Sequence, residues 1–335
     1  MRLLTNHPLA PHHTFGLQVR AAYFAEVETL EELRDCLASC PPPVLLLGGG
    51  SNMLFTRDWP GTVVHMLLKG REVVFEDDQT AVVAAGAGEN WHQLVLWTLD
   101  QNLGGLENLS LIPGSAGAAP IQNIGAYGVE LTDVFDHLEA LDLHTGDLHT
   151  FGREACRFGY RDSVFKNELK GRYAITKVFL RLKKNPQVNT SYGAIRDTLK
   201  EMGVENPTIR DVSRAVVSIR QSKLPDPAVL GNAGSFFKNP EVPAAELERL
   251  LMEFPGIVHY PLPSGGAKIP AGWLIEQCGW KGKRVGNTGC HALQALVLVN
   301  YGGATGEEIW QHAQRVRQSV LEKFGVELMP EVNVF

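Results

Sequence analysis

Apolar and polar positions along the chain alternate between the period of a strand and that of a helix, which predicts a mixed α+β protein. Thr29 with Glu32 three positions on is a capping-box signature, and the helix it opens must stop before the prolines at 41–43. Short apolar runs at Val44–Leu47, Gly61–Met66, Glu72–Glu76 and Thr80–Ala85 read as strands. Between Asn90 and Gln101 the placement of Leu94, Val95 and Leu99 predicts a helix. Leu138–Lys183 reads mostly as strand, Tyr173–Leu182 most clearly, and two helical stretches then lead to the Pro-rich break Gln221–Pro227. Beyond it the pattern gives helices over Pro243–Phe254 and Ala271–Cys278 and a strand at Ala295–Val299. A long helix follows from the capping box Thr305 with Glu308, lining Ile309, Val316, Val320 and Phe324 on one face, and a strand at Pro330–Phe335 closes the chain.

At 335 residues the chain is too long for one ordinary core, so two or three domains are expected, with the main boundary at Gln221–Pro227. Its 44% hydrophobic and 20% charged content is that of a soluble globular protein, and no apolar run is long enough to span a bilayer. The N-terminal Met1–Pro8 is interrupted too early to hold a secretory apolar core, which makes cytoplasmic residence the expectation. The cysteines (Cys36, Cys40, Cys156, Cys278, Cys290) are odd in number and form no C-x-x-C pair, as suits reduced thiols. Cys36 and Cys40 lack nearby partners to complete a metal site, so no metal is expected. A net charge of −6 without a basic run disfavours nucleic-acid binding.

Two glycine-rich segments carry the candidate chemistry. Leu47–Leu54 reads LGGGSNML; Ile112–Gly117 runs on into Gln122–Gly128, QNIGAYG. Successive glycines let backbone N–H groups converge on one anion, and two such nests suit a dinucleotide diphosphate. Tight turns would use the same residues for conformational reasons alone. A P-loop is excluded because no G-x-x-x-x-G-K-[ST] occurs, and Gly86-Ala87-Gly88 lacks the third glycine of a Rossmann turn, Trp91 standing there.

Taken in order, LGGGSNML, IPGSAGAAPIQNIGAYGVEL, RFGYRDSVFK, RQSKLPDP, GNAGSFFKNP, AGWLIEQCGWKG and the terminal PEVNVF resemble the UDP-N-acetylenolpyruvoylglucosamine reductase family over almost the whole chain. The resemblance implies an α+β fold of the vanillyl-alcohol oxidase type. FAD-binding subdomains are then expected over 1–69 and 70–218 and a substrate-binding domain over 219–335. It also implies that FAD is reduced by NADPH and passes a hydride to UDP-N-acetylglucosamine enolpyruvate, with no obligate protein partner evident. By family match Gly48, Gly49, Gly50, Ser51, Asn52, Gly114, Gly117, Asn123, Gly125, Ala126 and Arg220 contact the flavin. No His or Cys lies within 45–55 or 112–128, so the flavin is expected to be noncovalent.

The same match makes Arg161 the cation that stabilises charge developing next to the substrate carboxylate, a task its planar fork suits. From the residues alone, Arg161 could instead pair with Asp162. Ser235 matches the proton donor, Glu331 the third catalytic position, and Lys223, Asn239 and Gln294 the substrate contacts, with Tyr192 as a lid over the diphosphate. Without the resemblance these read as a turn serine, an edge-strand glutamate and a surface tyrosine. Two departures stand out: Ser115–Ala119 is smaller and less polar than in some relatives, and the chain stops four residues after Glu331. A flavin-dependent alcohol oxidase of the same fold is the competing expectation, and a nucleotide-sugar binding protein without turnover a third.

Overall fold

The computed structural model describes residues 2–263 and 265–335; Met1, in the N-terminal stretch read above, lies outside them. The chain divides into two compact units. The first holds the described residues of Met1–His7 with Ala21–Gly50 and Pro60–Ser222; the second holds Pro8–Arg20, Ser51–Trp59 and Lys223–Phe335.

The first unit is built on two sheets. In one, Val44–Leu47 runs parallel to Trp59–Met66, followed outward by Arg20–Val27 and Leu4–Pro8. Helix Leu30–Ser39 covers it with Leu33 and Cys36, which meet Val64 and Met66. Thr29 Oγ1 accepts the Glu32 N–H, while the returning Glu32 carboxylate takes the N–H of Glu28, one residue earlier than a standard capping box.

The other sheet is a five-stranded antiparallel array in the order Leu148–Gly152, Phe135–Asp142, Tyr173–Lys183, Thr80–Gly86, Arg71–Glu76. Helix Trp91–Asp100 seats Trp91, Leu94, Val95 and Leu99 against Val83, Ala85, Val178 and Leu180, so its predicted apolar face is the buried one. Helices Gly193–Glu201 and Ile209–Lys223 pack together through Ile195, Leu199, Val212 and Val216. The second of these continues through Gln221 and Ser222 into the Pro-rich break.

In the second unit an antiparallel sheet runs Gly231–Ser235, Val297–Asn300, Thr288–Cys290, Arg284–Val285. Helix Gly306–Phe324 lies against it, Thr305 and Glu308 forming the reciprocal cap and Ile309, Val316, Val320 and Phe324 all buried. The loop 8–20 completes the first strand: Thr14 O accepts from Asn232 N, and Phe15 O from Asn300 Nδ2. Two sequence expectations change here. Gly231–Ser235, read only as a motif, is a strand, and the closing strand shrinks to Asn333–Val334, paired in parallel with Met53–Leu54. Pro330 has no N–H to give a ladder, and Glu331 turns its own N–H to Phe236 O.

Two core histidines make this unit acid-sensitive. His13 and His312 are buried, each with an Nδ1 that has no hydrogen-bond partner, and burial pulls both pKa values down to about 4 from 6.5. The unfolded chain therefore binds protons first as pH falls. The stability they lend is whole above about pH 6.5 and drains away towards pH 4, by up to about 3 kcal/mol each. Asp142 and Asp211, held at about 2 by His144 N–H and by the Thr208 hydroxyl respectively, are lost only at lower pH. We expect the melting temperature to fall steeply between pH 6.5 and 4.5, and His312→Phe to flatten that fall; a melting temperature constant across the window would contradict the assignment.

Candidate active site

In the first unit the two glycine-rich segments are pressed together. A Cβ on Gly49 would stand 2.8 Å from Gly114 Cα, so that position admits no side chain, and one on Gly48, 2.3 Å from Ser115 Oγ, would have to push the serine hydroxyl aside. Gly48, Ser115, Gly117 and Ala118 line a cleft with Leu46, Met66, Ala87, Ile121, Tyr173 and Ile175. Gly117 serves the cradle by closeness: its N–H is given to Ala87 O, and a Cβ there would meet Ala87 Cβ at 2.5 Å. The small Ser115–Ala119 segment is the start of a 3₁₀ helix over Ala116–Gln122.

The tail of the second segment is a hairpin. Gly125–Ala126 pairs with Val129–Glu130, and the connecting Tyr127 and Gly128 have φ of 51° and 80°, as a two-residue hairpin turn of the primed kind requires. Gly125 O accepts from Arg161 Nη2. Arg161 itself occupies the Gly159–Asp162 turn at a φ of 53°, a region that suits Gly and, less well, Asn or Asp, so the fold holds this arginine at a conformational cost. The expected alternative partner, Asp162, has both carboxylate oxygens on Asn167 Nδ2.

Arg220 projects from helix Ile209–Lys223 to Leu111 O, at 3.2 Å from Nε, and to the Tyr127 hydroxyl. Both partners are neutral, and among the described residues no carboxylate pairs with it. Burial lowers the pKa of the guanidinium, and burial likewise raises that of the Tyr127 phenol. His92 Nδ1 accepts the Leu111 N–H, and burial and then Arg220 lower the pKa of the ring. A desolvated cation facing only neutral groups calls for an anion from a ligand.

Tyr192 packs edge-on against Tyr127, ring centroids 5.2 Å apart. Its loop is stitched to the hairpin by Asn108 Nδ2, which donates to Tyr127 O and Asn189 O, and by Asn189 Nδ2 to Gly128 O. Tyr127 and Asn108 were not singled out from sequence. The positive φ at Tyr127, invisible in a Tyr-Gly pair, is what turns that ring toward Arg220.

The second unit gathers the other set. Gly234 has a φ of 69° in a bulge that breaks the register between Asn232 and Ser235, and the chain re-enters the ladder with Ser235 opposite Val297. Phe236 and Phe237 behind it are fully buried, and Phe236 O takes the Glu331 N–H at 2.8 Å, bringing the Ser235 and Glu331 backbones side by side. Glu331 O in turn accepts from Asn52 Nδ2, and Asn333 N and Nδ2 return to Asn52 O. The end of the chain is thus fixed to the Ser51–Asn52 part of the first glycine segment. Asn239 Oδ1 accepts the Ala271 N–H, and Gln294 Oε1 lies 3.0 Å from where a Gly272 Cβ would stand; both predicted substrate contacts meet at the first turn of helix Ala271–Gln277. Lys223 is exposed at the end of its helix.

Known proteins decide which chemistry this arrangement serves. Residues 21–152 match the FAD binding domain family, and residues 226–335 match the C-terminal domain of UDP-N-acetylenolpyruvoylglucosamine reductase. Proteins of that name from Pseudomonas aeruginosa and Chromobacterium violaceum are 53% and 54% identical to the chain, spanning 98% and 96% of it and 97% and 96% of themselves. The chain belongs to the UDP-N-acetylenolpyruvoylglucosamine reductase family. A crystal structure of a family member from Thermus caldophilus, 26% identical, covers 100% of this chain and 98% of its own, with a TM-score of 0.66. Membership makes FAD the cofactor, and the close-set glycines, with an Arg220 that pairs with no carboxylate among the described residues, have the chemistry an anionic group needs. No described helix is long and apolar enough to cross a membrane.

Proposed function

We propose that the chain uses NADPH to reduce UDP-N-acetylglucosamine enolpyruvate to UDP-N-acetylmuramate, a cytoplasmic step in building peptidoglycan precursors. The observation that carries this reading is identity at about half of all positions, end to end, with proteins of one name. Glycines 48–50, Gly114, Ser51, the hairpin backbone at Gly125–Ala126 and Arg220 would hold FAD, which when bound supplies the hydride. The protein's own task is the charge left on the substrate.

Hydride addition to the terminal vinyl carbon leaves negative charge on the neighbouring carbon, conjugated with the carboxylate. Arg161, already committed to a strained turn and tethered by Gly125 O, presents a fixed cation for that charge. Ser235 then delivers a proton to the carbon. A serine hydroxyl is a weak acid, so the step needs a water-poor setting, which the buried Phe236–Phe237 pair behind it favours. Glu331 would repel the anion if ionised, so it would be protonated at the decisive step or orient Arg161 or a water. Asn239, Gln294 and Lys223 would bind the sugar nucleotide, and Tyr192 would cover its diphosphate.

The test is product identity: incubation with the enolpyruvyl sugar nucleotide should consume one NADPH per substrate and yield a product heavier by two hydrogens. Oxygen uptake with simple alcohols and no NADPH consumption would point to the oxidase instead. Because no His or Cys lies in 45–55 or 112–128, acid precipitation should leave the yellow colour in the supernatant; a coloured pellet would show a covalent flavin.

A further inference from the structure

Asn123 was carried over as a flavin contact, yet its side chain faces the scaffold. It is 1% exposed, and its amide is fully used: Oδ1 accepts Thr132 N–H at 3.0 Å, while Nδ2 donates to Glu130 Oε2 at 2.8 Å and to Gly159 O at 3.0 Å. The Thr132 N–H fixes which end of the amide is oxygen. Gly159 opens the turn that carries Arg161, and two residues after Asn123 Gly125 O holds the Arg161 guanidinium. One short segment therefore grips Arg161 at both the base of its turn and the tip of its side chain. The left-handed φ of 43° at Asn123 favours Asn, Asp or Gly, and of these only Asn supplies an acceptor and two donors.

From this geometry we infer that Asn123 is a positioning residue for Arg161, aiming its guanidinium at the carboxylate end of the substrate rather than binding the flavin through its side chain. The inference rests on the role proposed for Arg161 above. Asn123→Asp keeps the Thr132 bond but sets a carboxylate against Glu130 Oε2 and Gly159 O. Asn123→Gly keeps the backbone conformation and removes every side-chain bond without adding charge, so it remains informative should the aspartate variant not fold.

The experiment is a double-mutant cycle on the holoenzyme, with the two half-reactions measured separately and the FAD dissociation constant measured on the apoprotein. Each Asn123 variant should slow reoxidation of reduced flavin by the enolpyruvyl substrate about 30- to 100-fold, at least about tenfold more than it slows reduction by NADPH or weakens FAD. In an Arg161→Ala background the same substitution should cost less than about threefold, since there is no guanidinium left to aim. An equal loss in both backgrounds, or a loss that tracks FAD affinity, would overturn the inference while leaving the role of Arg161 intact. If Arg161→Ala by itself left reoxidation fast, the role of Arg161 would fall and this inference with it.

Discussion

Ser235→Ala will leave flavin reduction by NADPH close to that of the wild type and slow reoxidation by the enolpyruvyl substrate about 10³-fold, the scale of a lost general acid. The expectation follows from how the fold holds this residue. Ser235 re-enters its ladder opposite Val297 after the bulge at Gly234, Phe236 N donates to Leu296 O, and the Phe236–Phe237 pair anchors the strand in the core. Loss of the hydroxyl disturbs none of these contacts, so the substitution isolates the proton. Single-turnover mixing of the pre-reduced variant with substrate measures the second step alone, and NADPH mixing the first. Comparable losses in both steps would show that Ser235 supports flavin binding or packing instead.

Arg220→Met will weaken FAD binding about 10- to 100-fold while the apoprotein melts no lower than the wild type. The guanidinium sits among Leu111 O and the Tyr127 hydroxyl, and among the described residues no carboxylate pairs with it, so the apoprotein carries the cost of its desolvation. An isosteric apolar side chain removes that cost. It leaves Leu111 O and the phenol short of a partner, a loss of about 1–3 kcal/mol that opposes the gain. In the proposed complex the cofactor diphosphate supplies the anion that the arginine otherwise lacks. Fluorescence titration of apoprotein with FAD, with melting curves of both apoproteins, checks the two halves of the statement. A much less stable apoprotein with unchanged FAD affinity would make Arg220 a structural residue.

What the sequence disclosed is what is decided locally. Thr29 and Thr305 cap their helices through residues three or four positions away, and Leu94, Val95 and Leu99 share a face by helical period alone, so those elements could be read directly. The hidden parts depend on residues far apart in the chain. Gly49 is constrained by Gly114, Asn52 by Glu331, and the strand Gly231–Ser235 by Thr14 and Phe15. None of these pairings leaves a periodic trace. The Gly125–Glu130 hairpin escaped for another reason: Tyr-Gly is an uncommon choice where both turn residues need positive φ, and the segment read as a phosphate nest. Its hairpin form makes the stretch a support for Arg161 and a contact for Tyr192, beside its proposed place near the flavin. The same distance effect concealed the role of Asn123, whose partners Thr132, Glu130 and Gly159 are united only by the fold. Family resemblance supplied the proposed catalytic residues, which no local pattern around Arg161, Ser235 or Glu331 would have isolated.

In the proposed reaction electrons pass from NADPH through one bound flavin to a vinyl ether. Anaerobic double mixing tests it most directly: purified yellow protein meets NADPH first and UDP-N-acetylglucosamine enolpyruvate second, with the oxidised-flavin absorbance followed throughout. The absorbance should bleach in the first mix and return in the second without oxygen. A flavin that bleaches but stays reduced until air is admitted would contradict it.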